Sequence, residues 1–240
     1  MWKAQVLTLF PEMFPGPLGL SLAGKALENK IWGMDVMQIR DHATDKHRSV
    51  DDTPAGGGPG MVMRADVMGH AIDMAIAKRP EGTSNEDWPL IYLSPRGKTM
   101  DQKMVHSFVE KQGITLICGR FEGLDERVLK KRNVQEISLG DFVLSGGEIA
   151  ALMLMDAVVR LIPGVIGDPD TLLEESFTSG LLEYPQYTRP QEWEGKKIPS
   201  VLTSGHHGKI KEWRKLKSEE LTKERRPDLW NKFSYKKSDD

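Results

Sequence analysis

The 240-residue chain has a single cysteine, Cys118. No internal disulfide is available to it, no cysteine cluster can hold a metal, and the lone thiol fits a reducing compartment. No stretch is apolar for long enough to cross a bilayer. The most apolar run, 149–162, is interrupted by Asp156 and Arg160 and closed by Pro163 and Gly164. Met1-Trp2-Lys3 leads into apolar residues that stop at Pro11 and Glu12, which is not the layout of a signal peptide. These absences point to a cytoplasmic protein with no membrane partner. Strong net charge is missing too: the formal value of -2 argues against nonspecific nucleic-acid binding by the whole chain. No repeat or low-complexity tract is present.

What remains is an ordinary globular composition, 39% hydrophobic and 28% charged, in a chain long enough for one large domain or two modest ones. The charge is unevenly placed. Residues 191–240 hold 13 basic against 9 acidic residues, a net of +4 that leaves -6 on the first 190. A basic end on an acidic body suits contact with a polyanion through that end, and a solvated helical surface accounts equally well for the charge alone.

The periodicity predicts strands over 3–10, 34–40, 90–94, 114–118 and 134–139, separated by helices over 65–78, 100–112 and 124–132 and followed by a buried helix from Glu148. Gly19 to Ala26 nearly spells a phosphate-binding loop, but Ala26 lacks the hydroxyl that would hold magnesium, and the segment reads as a helix to about Lys30. The loop after the second strand carries Asp41, His42, Asp45, His47, Arg48, Asp51 and Asp52, then Gly56-Gly57-Gly58-Pro59-Gly60. Its His and Asp residues lack the spacing of a metal site, so no metal ligand is assigned. The four glycines imply strained turns or close backbone approach to something flat.

Apolar strands alternating with helices predict an α/β fold: a parallel sheet covered on both faces. Ligands of such sheets bind at the carboxyl ends of strands. Three consecutive strands end in Ser94-Pro95, in Gly119-Arg120-Phe121-Glu122-Gly123 and in Gly140-Asp141-Phe142. They should lie side by side and make one pocket, with Tyr92, Phe121 and Phe142 as apolar walls and Glu122 as its acid, facing a ribose hydroxyl or a cation. No dinucleotide fingerprint follows a strand, and no lysine is aimed at phosphates. Backbone loops with aromatic walls suit an adenosine moiety.

Six ordered motifs then resemble the bacterial tRNA (guanine-N1)-methyltransferase family. They are Gly56-Gly57-Gly58-Pro59-Gly60-Met61, Tyr92-Leu93-Ser94-Pro95, the stretch from Cys118 to Arg127, that from Gly140 to Glu148, Arg160-Leu161-Ile162-Pro163-Gly164-Val165, and Tyr187-Thr188-Arg189-Pro190. The likeness runs from Trp2 to about Trp230. It implies a SPOUT methyltransferase whose chain threads a deep trefoil knot, with a small, mainly helical C-terminal domain. It also implies a homodimer with the active site at the subunit interface, S-adenosyl-L-methionine as methyl donor, and N1 of the guanosine 3′ of the tRNA anticodon as target. A magnesium dependence, also open by resemblance, has no visible signature in the residues. Carried over by position, Tyr92, Leu93, Ser94 and Pro95 form one wall of the cofactor site and Gly119, Phe121 and Glu122 a second. Ser138, Leu139, Gly140, Asp141, Phe142, Val143, Leu144, Gly146 and Gly147 form the third. The family often has tyrosine where this chain has Phe121 and Phe142.

Transfer to guanine N1 requires removal of its proton, which pushes negative charge onto O6, so the site needs a base and a cation or hydrogen-bond donor. By resemblance Arg160 stabilises that charge and the carboxylate of Glu175 takes the proton. The family typically has aspartate at the position of Glu175, and Asp168 and Asp170 are the alternative acids. Without the resemblance, Glu174 and Glu175 read equally as helix-terminal acids and Arg160 as a helix C-terminal cation. A linker is expected over 165–175 because the chain from Gly164 to Thr171 loses periodicity, with a cofactor domain over 1–164 and a tRNA-binding domain over 176–240. The base is expected to be mobile until RNA binds. Capping-box spacing over Thr171-Leu172-Leu173-Glu174 suggests a short helix. Arg189, Lys209, Lys211, Arg214 and Lys215 are candidates for phosphate contact, with Trp213 packing.

Overall fold

In the computed structural model, residues 1–172 and 174–238 are described, except for the side chains of Pro169, Asp170, Lys236, Lys237 and Ser238. The chain divides into two compact units, Met1–Gly167 and Asp168–Asp240.

The first unit runs β1 (Trp2–Thr8), α1 (Ser21–Glu28), β2 (Trp32–Gln38), β3 (Asp51–Asp52), β4 (Val62–Met63), α2 (Ala65–Ala77), β5 (Leu90–Thr99), α3 (Gln102–Val109), β6 (Gly113–Ile117), α4 (Glu126–Lys131), β7 (Gln135–Ser138) and α5 (Gly147–Val159). Five of the strands make one sheet in the order β2-β1-β6-β5-β7, and every pairing is parallel. Parallel strands need coverage on both faces, which their near-continuous apolar sequences provide. Leu7, Met37, Leu90 and Ile117 are buried against α2 and α4. Their neighbours Val6, Ile91 and Leu116 point the other way and are equally buried. The helices α3 and α5 pack on each other and against β6, β5 and β1.

The sheet departs from expectation at Pro95. Instead of stopping there, β5 continues to Thr99, and its register against β7 shifts so that Leu93 and Lys98 both lie opposite Ile137. Residues 94–97 bulge out between these pairings, which frees the proline from the ladder bond it cannot donate. Gly97 lets the chain return, because a β-carbon there would sit 2.3 Å from the Ile137 backbone nitrogen.

Of the near phosphate-loop segment, Ser21 to Ala26 lie in helix α1 as the sequence predicted, while Gly19 closes a 3₁₀ turn and Leu20 is extended. A second correction falls on Thr171 to Glu174. A 3₁₀ turn covers Pro169–Leu172, and Leu173 lies outside the described residues. Glu174 does not serve a capping box: its carboxylate accepts from the Tyr184 hydroxyl at 2.6 Å and pairs with Arg214 at 3.1 Å. The second unit further contains β8 (Glu192–Trp193), β9 (Lys196–Lys197), α6 (His207–Arg225) and α7 (Pro227–Ser238). The strands form a small antiparallel hairpin.

Candidate active site

The order β6-β5-β7 brings three strand ends together at the carboxyl edge of the sheet. Their loops enclose a cavity of about 320 Å³. Of the residues expected to hold a cofactor, all but the exposed Asp141 line it.

Each loop reaches the cavity for a local reason. The first is the bulge of β5, and Tyr92 just before it is buried deeply enough to hold its phenol above the usual pKa range. The second leaves β6 at Cys118 and turns at Phe121, which takes a left-handed φ of 59°. It is tied down from outside: Glu122 N–H donates to Met61 O, and Met63 N–H to Gly123 O, both at 2.9 Å. The glycine-rich segment thus ends against this loop, where a β-carbon on Gly60 would meet the Glu122 side chain at 2.5 Å. The third loop follows β7. Ser138 Oγ accepts from Gly140 N–H at 3.1 Å and donates to Gly140 O at 3.0 Å, closing a tight turn. Gly147 N–H donates to Gly119 O at 2.9 Å, joining the third loop to the second.

Apolar side chains stand open at this edge: Phe121 is 53% exposed and Phe142 49%. No lysine lines the cavity, and its two arginines are engaged. Arg96 bonds Glu136 at 2.8 Å and Glu126 at 3.2 Å, while Arg120 lies 2.9 Å from Glu148. Glu122 is the cavity's acid, and its carboxylate has no ion pair or side-chain hydrogen bond among the described residues. The arrangement is a cradle of backbone and aromatic surface with one carboxylate, suited to a flat, hydroxyl-bearing ligand and poorly suited to a polyphosphate.

A comparison with known proteins bears on that chemistry. The sequence profile of the family described as tRNA (Guanine-1)-methyltransferase TrmD matches residues 2–232. The chain belongs to this family. Relatives of the methyltransferase, each named tRNA (guanine-N(1)-)-methyltransferase, agree with it over nearly their whole length. One from Ruegeria sp. is 60% identical over 238 residues, covering 99% of this chain and 96% of its own. Another from Rhodospirillum rubrum is 58% identical over 231 residues, 96% of this chain and 93% of its own. A third from Rhizobium etli is 54% identical over 237 residues, 99% of each. Membership carries the SPOUT class, consistent with the parallel sheet between helices.

In this methyltransferase the two catalytic candidates fall in different units. Arg160 directly follows α5 as its C-terminal cap, and its N–H donates to Asp156 O at 3.2 Å. Glu175 is half-buried in the second unit, and its carbonyl accepts from Thr178 N–H at 3.3 Å. Of the alternative acids, Asp168 is described and the Asp170 side chain lies outside the described residues. Among the RNA candidates, Arg189, Lys209, Lys211 and Lys215 are exposed. Arg214 is not: it pairs with Glu174 and its guanidinium lies 4.8 Å from the Tyr184 ring centroid. Trp213 meets Tyr187 edge to face at 6.1 Å. Among the described residues no group of three or more His, Cys, Asp or Glu could hold a metal ion, and no helix is long and apolar enough to cross a membrane.

Sequence reasoning missed Arg96, Leu124, Ile137, Ser145 and Ala150 as lining residues, and it placed Arg120 and Gly123 in a pocket loop without assigning them to the cofactor. Each adjoins or nearly adjoins a predicted one. The arginines were passed over because an isolated charge reads as surface until its carboxylate partner is located in space.

Proposed function

We propose that this chain transfers the methyl group of S-adenosyl-L-methionine to N1 of the guanosine 3′ of the tRNA anticodon, position 37. The observation that carries the reading is the union of three strand-end loops in one cavity, in a chain of this family. The cavity fits the donor in kind. Phe121 and Phe142 offer faces for the adenine, loop backbone offers polar contacts, and glycines leave room where a side chain would intrude. Glu122 is the acid available to a ribose hydroxyl or a hydrated magnesium ion. The cofactor-binding set is Tyr92 to Pro95, then Gly119, Phe121 and Glu122, then Ser138 to Leu144 with Gly146 and Gly147.

When bound, the donor supplies an already activated sulfonium methyl. The work left to the chain is alignment of guanine N1, removal of its proton and stabilisation of charge on O6. Arg160 takes the charge and Glu175 the proton. Glutamate at a position where aspartate is typical reaches roughly 1 Å further, a difference that the backbone around Glu175 must absorb. Residues 1–164 hold the cofactor, 165–175 act as the linker, and 176–240 meet the tRNA. Arg189, Lys209, Lys211 and Lys215 supply phosphate contacts, and Arg214 steadies the second unit beside them. The reading includes a deep trefoil knot, a homodimer with the active site at the subunit interface, and a cytoplasmic location, all supported by family membership.

Incubation with labelled S-adenosylmethionine and unmodified tRNA tests the function. Label is expected on tRNA with guanosine at position 37 and not on the adenosine variant. Label retained on that variant would assign the enzyme to another RNA position. No label on either, with tRNA bound, would leave a noncatalytic RNA-binding protein of the same fold.

A further inference from the structure

At the wall of the cavity lies an ionic pair with a buried carboxylate that the proposed chemistry does not use. Glu148, in the first turn of α5, has a side chain only 1% exposed. A carboxylate so far from water needs compensation. It accepts from the Thr8 hydroxyl at 2.8 Å, and Thr8 Oγ in turn accepts from Phe10 N–H at 2.9 Å. Its counter-charge is Arg120, whose Nη2 lies 2.9 Å from Glu148 Oε2. That approach is close enough for charge pairing yet too oblique for a hydrogen bond, and Glu148 Oε2 and Arg120 Nε have no hydrogen-bond partner among the described residues.

Arg120 itself belongs to the second cofactor loop. Its guanidinium lies 4.4 Å from the Phe10 ring centroid and donates to Ser145 O, in the third loop, at 3.3 Å. A β-carbon on Gly146 would fall within 2.6 Å of its Cδ and Cζ. Gly146 has an extended φ of 178°, so a side chain is excluded there by the arginine and not by backbone conformation. One side chain of the second loop therefore touches the segment just after β1, the third loop and the start of α5.

We propose that the Arg120–Glu148 pair is a positioning device of the cofactor site, which sets the spacing of the second and third loops. Neither residue is catalytic, since both act through the backbone they hold. Breaking the pair weakens cofactor binding and leaves transfer in the saturated enzyme much less affected. The loops' shape is what the ligand reads, so the two residues act as one unit and their substitutions are not additive.

This inference rests on the cavity being the S-adenosylmethionine site, and the experiment separates the two. Affinity for S-adenosylmethionine is measured by calorimetry on the full-length protein, with KM and kcat in parallel, for wild type, Arg120→Met, Arg120→Lys, Glu148→Gln and the double variant Arg120→Met/Glu148→Leu. Single loss of either partner should raise Kd and KM at least tenfold and change kcat less than threefold. Arg120→Lys, which keeps the charge, should recover part of the affinity. Apolar replacement of both partners removes the stranded charge, so the double variant should fold with an unfolding midpoint near that of wild type. Its affinity should be no worse than that of the weaker single variant, and still below wild type. Wild-type affinity in the folded double variant, or additive losses, would overturn the inference alone. A wild-type protein that binds no S-adenosylmethionine would overturn the reading of the cavity.

Discussion

A side chain at Gly140 meets two obstacles at once. The backbone there has a φ of 149°, a region L residues rarely adopt, and a β-carbon would lie 2.9 Å from the Phe142 ring. Strain of this kind costs about 1–3 kcal/mol, so Gly140→Val should weaken S-adenosylmethionine binding roughly 10- to 100-fold while the sheet still folds. Calorimetry checks it, and a Val variant with native affinity would remove Gly140 from the cofactor wall. Glu175→Gln has the opposite signature. A general base contributes about 100-fold or more, and an amide cannot take the proton, so turnover falls by at least that factor with cofactor affinity unchanged. Undiminished turnover would transfer the role to another acid, Asp168 first. At this scale the sequence was legible where a residue's chemistry is local, as with the glycines at turns. It was silent about Glu148, because an acid in the first helical turn reads as an ordinary dipole partner until its burial is known.

The five strands of the parallel sheet and the helices between them were legible from short, largely apolar runs and from helical periods, whereas the two-residue strands β3 and β4 fall in what read as a loop. The bulge of β5 was not legible, because proline marks a strand's end in most contexts and only pairing on both sides of residues 94–97 reveals a continuation. The turn before Leu173 was misread for a similar reason: its capping acid is committed to Tyr184 and Arg214, far along the chain. Cys118, where β6 passes into the second loop, offers a test at the level of elements. It is fully buried, and burial, reinforced by the negative Glu148, pushes its thiol well above the ordinary range. A folded pKa above the unfolded one means that its stabilising share is complete below the unfolded thiol pKa and is lost as pH rises through the window toward the folded value. The urea midpoint should therefore fall between about pH 8 and about pH 10, and Cys118→Ala should flatten that fall. Equal slopes in both proteins would show that the thiol does not titrate into a buried site.

Across the molecule, α5 leaves Ile149 47% exposed and Met153 50% exposed, one turn apart on one face. It packs beside the turn at Gly16–Gly19, which leads to the exposed Leu20 and Leu22. Apolar side chains grouped in this way are unusual on a monomer's surface and support the proposal of a homodimer. Sedimentation should find wild type as a dimer at micromolar concentration, and Met153→Glu, which introduces a charge at that face, should shift it toward monomer and abolish turnover. A wild-type monomer with full activity would discard the shared site. The proposed knot belongs to this scale as well, and no local pattern would encode it, since periodicity describes elements and not the path that threads them. The central claim is that a three-loop cradle delivers a methyl group to one atom of one nucleoside. Mass spectrometry of tRNA fragments after incubation with S-adenosylmethionine tests it most directly: 1-methylguanosine at position 37 and nowhere else is the predicted result, and a methyl group on any other nucleoside or position would contradict it.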